Sequence, residues 1–145
     1  MGTDFLSEMP NFTVSNITAT NGSSAGNNYV DIKGNVSYNS PQSVGRNILI
    51  FIGTDASVSN DPAHYLGVEN AFATDTAASF TLRINASVFS SLGIPEGSGA
   101  YIAVYPSSAT AGNSSRYTDV VTGRFFYTSL PSNPVVLNIT APMYR

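Results

Sequence analysis

Apolar residues return at every second position in one segment of this chain after another, and no segment sustains a helical period. Val30, Ile32, Val36 and Tyr38 fall on one side of an extended chain, with Asp31, Lys33, Asn35 and Ser37 on the other. Phe80, Leu82 and Ile84 alternate with Thr81, Arg83 and Asn85 in the same way. Phe12 and Val14 alternate with Thr13 and Ser15, and Val135, Leu137 and Ile139 alternate with Asn138 and Thr140. A strand sends consecutive side chains to opposite faces, so each segment reads as a strand with one buried and one wet face. Residues 47–52, "NILIFI", and 99–106, "GAYIAVYP", are apolar at successive positions and read as central strands covered on both sides. "VVTGRFFYTS", 120–129, reads as a further strand with Gly123 at a bulge.

Clusters of Gly, Asn, Asp, Ser and Pro separate these segments: "TNGSSAGNN", "YNSPQSVG", "GTDASVSNDPA", "PEGSG", "PSSATAGNSS" and "LPSNP". Strands are therefore expected near 11–19, 29–38, 47–53, 65–73, 79–86, 99–105, 119–128 and 134–141. "NASVFSSLGI" is expected to hold one helical turn, with Val88, Phe89 and Leu92 facing inward. Strands at this spacing predict an all-β fold: a single immunoglobulin-like or jelly-roll-like β-sandwich of about 7–9 antiparallel strands. Residues 10–141 form that domain, 1–9 an N-terminal arm and 142–145 a C-terminal tail.

The stretch from Ser79 to Pro106 carries a family resemblance. Val88, Phe89, Leu92 and Ile94 would plug one end of the sandwich, and Pro95 and Gly97 would turn the chain into the opposite sheet at Tyr101. Leu92, Pro95 and Tyr101, in that order, resemble the crossover of fibronectin type III and other immunoglobulin-like sandwiches. The resemblance implies a hydrogen bond from the Tyr101 hydroxyl back to the crossover backbone. "MPNFTVSNITAT" is similar to such a domain's first strand. The chain has no tryptophan and no cysteine, so the family's core tryptophan and disulfide have no counterpart here.

Composition then narrows the function. Only 10% of the 145 residues are charged, against roughly 25% in typical soluble domains. The polar surface must be built from Asn, Ser, Thr and Gly, a neutral surface suited to the outside of a cell or to a packed assembly. The net charge is −3 and the six basic residues, Lys33, Arg46, Arg83, Arg116, Arg124 and Arg145, are scattered. No basic stripe is available to neutralise phosphates, which argues against nucleic acid. No apolar run reaches membrane-spanning length. The absence of cysteine removes disulfides, thiolate metal sites and a cysteine nucleophile together. The start, "MGTDFLSEMPNF", is acidic where an export signal would be basic: either a signal has been removed, or the protein reaches the outside by another route, as a virion component released by lysis would.

The residues that could carry chemistry are few. His64 is the sole histidine, and a triad would need it beside a nucleophile and an orienting acid such as Asp61. No Gly-x-Ser-x-Gly elbow is present, so His64 is expected in an exposed loop beside Tyr65. Asp55, Asn60 and Asp61 offer oxygen ligands on one loop, but at no EF-hand spacing, so no metal and no cofactor is expected. No pair among the nine acids is marked by spacing as a glycosidase pair. Tyr65, Tyr105, Tyr117, Tyr127 and Tyr144 are read as partly exposed, able to stack on sugars or anchor an interface. Seven Asn-x-Ser/Thr sequons begin at Asn11, Asn16, Asn21, Asn35, Asn85, Asn113 and Asn138, as the Asn- and Ser-rich composition produces by chance. Phe5, Leu6 and Met9 at one end, and Met143, Tyr144 and Arg145 at the other, are residue types enriched at interfaces, and both ends are expected to dock, either on the domain itself or as arms on an adjacent subunit.

The sequence therefore predicts a non-enzymatic structural protein on a virion or extracellular surface: a capsid decoration, tail, fibre or filament subunit. Its partners would be copies of itself or another structural protein, with no nucleic acid and no membrane. A cell-surface adhesion or carbohydrate-binding module, with glycans as partners, is the second expectation.

Overall fold

The computed structural model describes residues 12–38, 46–73, 78–106, 116–118, 120–123, 125–127 and 134–144. The elements run β1 (Phe12–Ser24), β2 (Asn27–Tyr38), β3 (Arg46–Gly53), β4 (Gly67–Ala73), β5 (Ser79–Asn85), α1 (Ala86–Ser91), β6 (Gly99–Pro106), β7 (Arg116–Thr118), β8 (Phe125–Tyr127) and β9 (Val135–Thr140). Three strands in the order β1-β2-β5 form one sheet, and four in the order β4-β3-β6-β9 form the other. Every pairing is antiparallel. The fold is an all-β sandwich of seven strands, with β7 and β8 as a separate two-stranded ribbon.

The alternation predicts which residues meet between the sheets. Val30, Ile32, Val36, Phe80 and Ile84 of the first sheet join Ile48, Ile50, Ile52, Ile102 and Val104 of the second in one buried cluster. Burying each such side chain contributes about 1.5–3 kcal/mol. Gly34 sits in the same row because nothing larger fits: a Cβ there would lie 2.4 Å from the Ile17 side chain and 2.6 Å from the Phe80 ring. Ile17 reaches this spot through a bulge, where Asn16 at φ 53 and Ile17 together oppose Gly34.

The corner between the sheets is built as the sequence suggests. Phe89 and Ile94 are buried, and Val88 and Leu92 pack against the same core. The helix ends in a Schellman motif: Gly93 N donates to Ser90 O at 3.0 Å and Ile94 N to Phe89 O at 3.1 Å. That motif needs a left-handed residue, and Gly93 supplies it at φ 77. The Tyr101 ring packs on the outer face of the second sheet, opposite to Leu92.

Two further expectations are corrected. "TNGSSAGNN" is largely strand, not loop: β1 runs to Ser24, turns over Ala25 and Gly26, and pairs on with β2 from Asn27. Both turn residues have positive φ, 53 and 83, the geometry that matches the twist of a two-residue hairpin. Val120 and Val121 lie in the turn between β7 and β8 rather than in a strand, and Gly123 at φ 75 belongs to that turn rather than to a bulge. The tail is held by its own domain. Asn28 Nδ2 donates to Met143 O at 3.0 Å, Tyr144 N to Glu96 Oε1 at 2.8 Å, and Tyr144 packs against the main core. Met143 stays 55% exposed. Phe5, Leu6, Met9 and Arg145 lie outside the described residues.

Candidate functional site

The second sheet is apolar on both sides, so its outer face needs a cover. Leu49 and Phe51 of β3 and Ala103 and Tyr105 of β6 point away from the other sheet and are buried beneath Val58 and Tyr65 of residues 54–66. Phe51 sits between two aromatic edges, with ring centroids 4.9 Å from Tyr65 and 5.3 Å from Tyr105. Asn60 N donates to the Tyr105 hydroxyl at 3.0 Å, which ties the loop to the sheet. Tyr65 and Tyr105, read from sequence as partly exposed, are buried here. Desolvation raises the Tyr105 phenol above its ordinary pKa.

The polar groups of this loop hold its shape. Asp61 Oδ1 accepts from Ala63 N at 2.9 Å and its carbonyl accepts from His64 N at 2.8 Å, so Asp61 caps a turn and does not orient the imidazole. His64 is exposed, as its loop position suggests. The group beside it is Ser57, whose Oγ lies 3.4 Å from His64 Nδ1. Ser57 gives its hydroxyl proton to Asp55, and its backbone N–H also donates to Asp55 Oδ1 at 2.9 Å. The Ser57 hydroxyl, with its backbone N–H second, lowers the Asp55 carboxyl below its ordinary pKa. The order is thus acid, hydroxyl, imidazole. Nucleophilic catalysis requires the imidazole between the other two, so that it takes the serine proton while the acid holds it from behind. Here the proton already rests on a carboxylate contact. Sequence reading missed Ser57; the Asp-x-Ser spacing that lets a carboxylate accept from the N–H two residues on was the available signal.

Asp55, Asn60 and Asp61 spend their oxygens on three different partners, Ser57, Tyr105 and Ala63, and do not converge. Glu69 lies on the core-facing side of the edge strand β4, opposite Ile50, where burial pushes its carboxyl above the ordinary pKa.

The outer face of the first sheet contrasts with this. It presents rows of Thr20, Asp31 and Arg83, of Thr18, Lys33 and Thr81, and of Ser15, Asn35 and Ser79. Arg83 grips Asp31 with two hydrogen bonds of 2.8 and 3.0 Å, and its guanidinium lies 3.5 Å from the centre of the Tyr29 ring. That grip lowers the Asp31 carboxyl below its ordinary pKa. The sequon asparagines Asn16, Asn21, Asn35, Asn85 and Asn138 are all exposed.

Two other features stand out. A cavity of about 420 Å³ opens at one end of the sandwich, between the β1–β2 turn, the start of α1 and the tail at Tyr144. The β7–β8 ribbon carries Val120 and Val121 at its tip, 94% and 88% exposed. Sequence reading took these valines for a strand interior; the Gly123 two residues on was the signal for a turn. No helix among the described residues is long and apolar enough to cross a membrane. Comparisons with protein-family models, with curated proteins and with solved structures find no match to this chain.

Proposed function

We propose that this chain is a non-enzymatic structural subunit of a virion surface (a capsid decoration, tail or fibre) or of an extracellular filament. It associates with copies of itself or with another structural protein. The observation that carries this reading is the β7–β8 ribbon, two strands of three residues that among the described residues pair with each other alone, ending in two bare valines. An isolated two-stranded hairpin is marginal in water, and exposed apolar tips are usually covered by a partner. The low charge of the chain supports the same reading, because neutral surfaces pack closely without repulsion.

The strand order supports an immunoglobulin-like topology over a jelly roll. The sequential pairing of β1, β2 and β5 fits strands A, B and E, and that of β3, β6 and β9 fits C, F and G. β4 lies beside β3, where the variable-type domain adds its C′ strand.

Light scattering and electron microscopy of the protein beside a Val120→Asp, Val121→Asp double variant test the assembly reading. The parent should form ordered oligomers or filaments, alone or with its structural partner, and the variant should stay a folded monomer. A variant that assembles like its parent would falsify it.

A second reading, a cell-surface adhesion or carbohydrate-binding module, is favoured by the Asn, Ser and Tyr residues that line the end cavity. A glycan array separates the two.

A further inference from the structure

We infer that the cavity at the β1–β2 turn end of the sandwich binds an uncharged, hydroxyl-rich ligand, a sugar residue of a glycan. This inference rests on the second reading above and assigns it a site. The lining chemistry is the first support. Among the described residues the cavity is lined by Asn27, Asn28, Asn85, Ser87, Ser90 and Tyr144 with Gly26 and Ala86, and none of these carries a charge. A carboxamide both donates and accepts, as does each sugar hydroxyl. A phosphate or carboxylate ligand would call for Arg or Lys at the wall.

The second support is Tyr144. Tyr144 is the aromatic residue of the lining, and an aromatic ring is the kind of surface on which the apolar face of a sugar rests. The Tyr144 hydroxyl is buried and has no hydrogen-bond partner. Such a group carries a desolvation cost that a fold normally avoids. A small shift of the side chain on binding would turn it to a ligand hydroxyl, which would supply the missing partner.

The third support is preorganisation. Tyr144 N is fixed to Glu96 and the preceding carbonyl to Asn28, so the wall stands in place before a ligand arrives. The volume, about 420 Å³, falls within the roughly 300–1,000 Å³ of small-molecule sites. The cavity lies at an end of the sandwich, where loops cluster in folds of this kind.

The test is a titration of isotope-labelled protein with galactose, mannose and N-acetylglucosamine, followed by amide chemical shifts, with glucose 6-phosphate as the charged counterpart. At least one neutral sugar should shift the Asn27, Asn85 and Ser87 resonances saturably, with millimolar affinity, and glucose 6-phosphate should not bind there more tightly. Ser87→Arg, at an exposed position that leaves the core intact, should abolish the shifts. Tyr144→Phe should weaken binding several-fold with no loss of thermal stability. Absence of sugar-dependent shifts at these residues overturns the inference, as does binding that survives Ser87→Arg. A glycan array run with parent and Ser87→Arg proteins distinguishes the two levels. Saccharide binding retained by the variant leaves the module reading standing and removes this site; no saccharide binding by the parent removes both.

Discussion

The two outer faces of the sandwich obey the same alternation and end in opposite states. The first sheet turns Thr, Ser, Asn and a single gripped ion pair to solvent and leaves them bare. The second turns Leu49, Phe51 and Tyr105 outward and folds residues 54–66 over them. A strand with one wet face needs only its neighbour, whereas a strand apolar on both faces obliges some other part of the chain to cover it. The segment recruited for that cover holds the chain's one histidine and two of its nine acids. Its residues look like chemistry when read in sequence, but Val58 and Tyr65 carry the loop's main task and the polar side chains hold it to the shape that task needs.

The contrast can be broken experimentally. Phe51→Ala removes a fully buried ring from beneath the loop and should cost about 3–5 kcal/mol by urea denaturation. A cost below about 1 kcal/mol would mean that the outer cluster is not a core. Tyr105→Phe keeps the ring and removes the partner of Asn60 N, for an expected loss of about 1–3 kcal/mol. Hydrogen exchange in residues 54–66 should rise with it, while β2 and β5 stay protected.

Glu69→Gln sharpens the comparison through pH. Glu69 has a raised folded-state pKa, so its stabilising contribution is full below the unfolded value and is lost as pH rises through the folded one. Asp31 and Asp55 have lowered values, so theirs is present above the unfolded value and is lost as pH falls. The melting temperature of the parent should therefore lose ground above the ordinary glutamate range relative to Glu69→Gln, and both proteins should weaken alike in acid. Parallel profiles across the whole range would show that Glu69 is not desolvated in solution. Smallest of all, Thr81→Ala on the bare face should stay within about 0.5 kcal/mol of the parent; a larger loss would mean that this face is also covered.

Where packing alone decides, the sequence was legible. The inward positions of β2, β5 and β9, the doubly buried β3 and β6, and the plug of Val88, Phe89, Leu92 and Ile94 all follow from spacing and side-chain type. Pairing was harder to read. Residues 20–24 have the composition of a turn, yet β2 is pinned by Val30 and Ile32, and its free edge offers β1 a ladder as far as Ser24 whatever side chains β1 carries. The cover over the outer face could not be read either, because Val58 and Tyr65 stand among turn formers and reveal their purpose only when β3 and β6 lie side by side. The same holds for the end cavity, whose wall joins residues more than a hundred positions apart.

The short connection over Ala25 and Gly26 bears on the order in which the chain folds. It joins the two longest strands through the smallest loop closure in the domain, so the first hairpin forms at little entropic cost. The other strand pairing of β2 waits for β5, which must return across two intervening strands. Ala25, held at a left-handed φ that alanine resists by about 1–2 kcal/mol, acts as a brake on that first event. Ala25→Asn should release it, and stopped-flow refolding should then run faster.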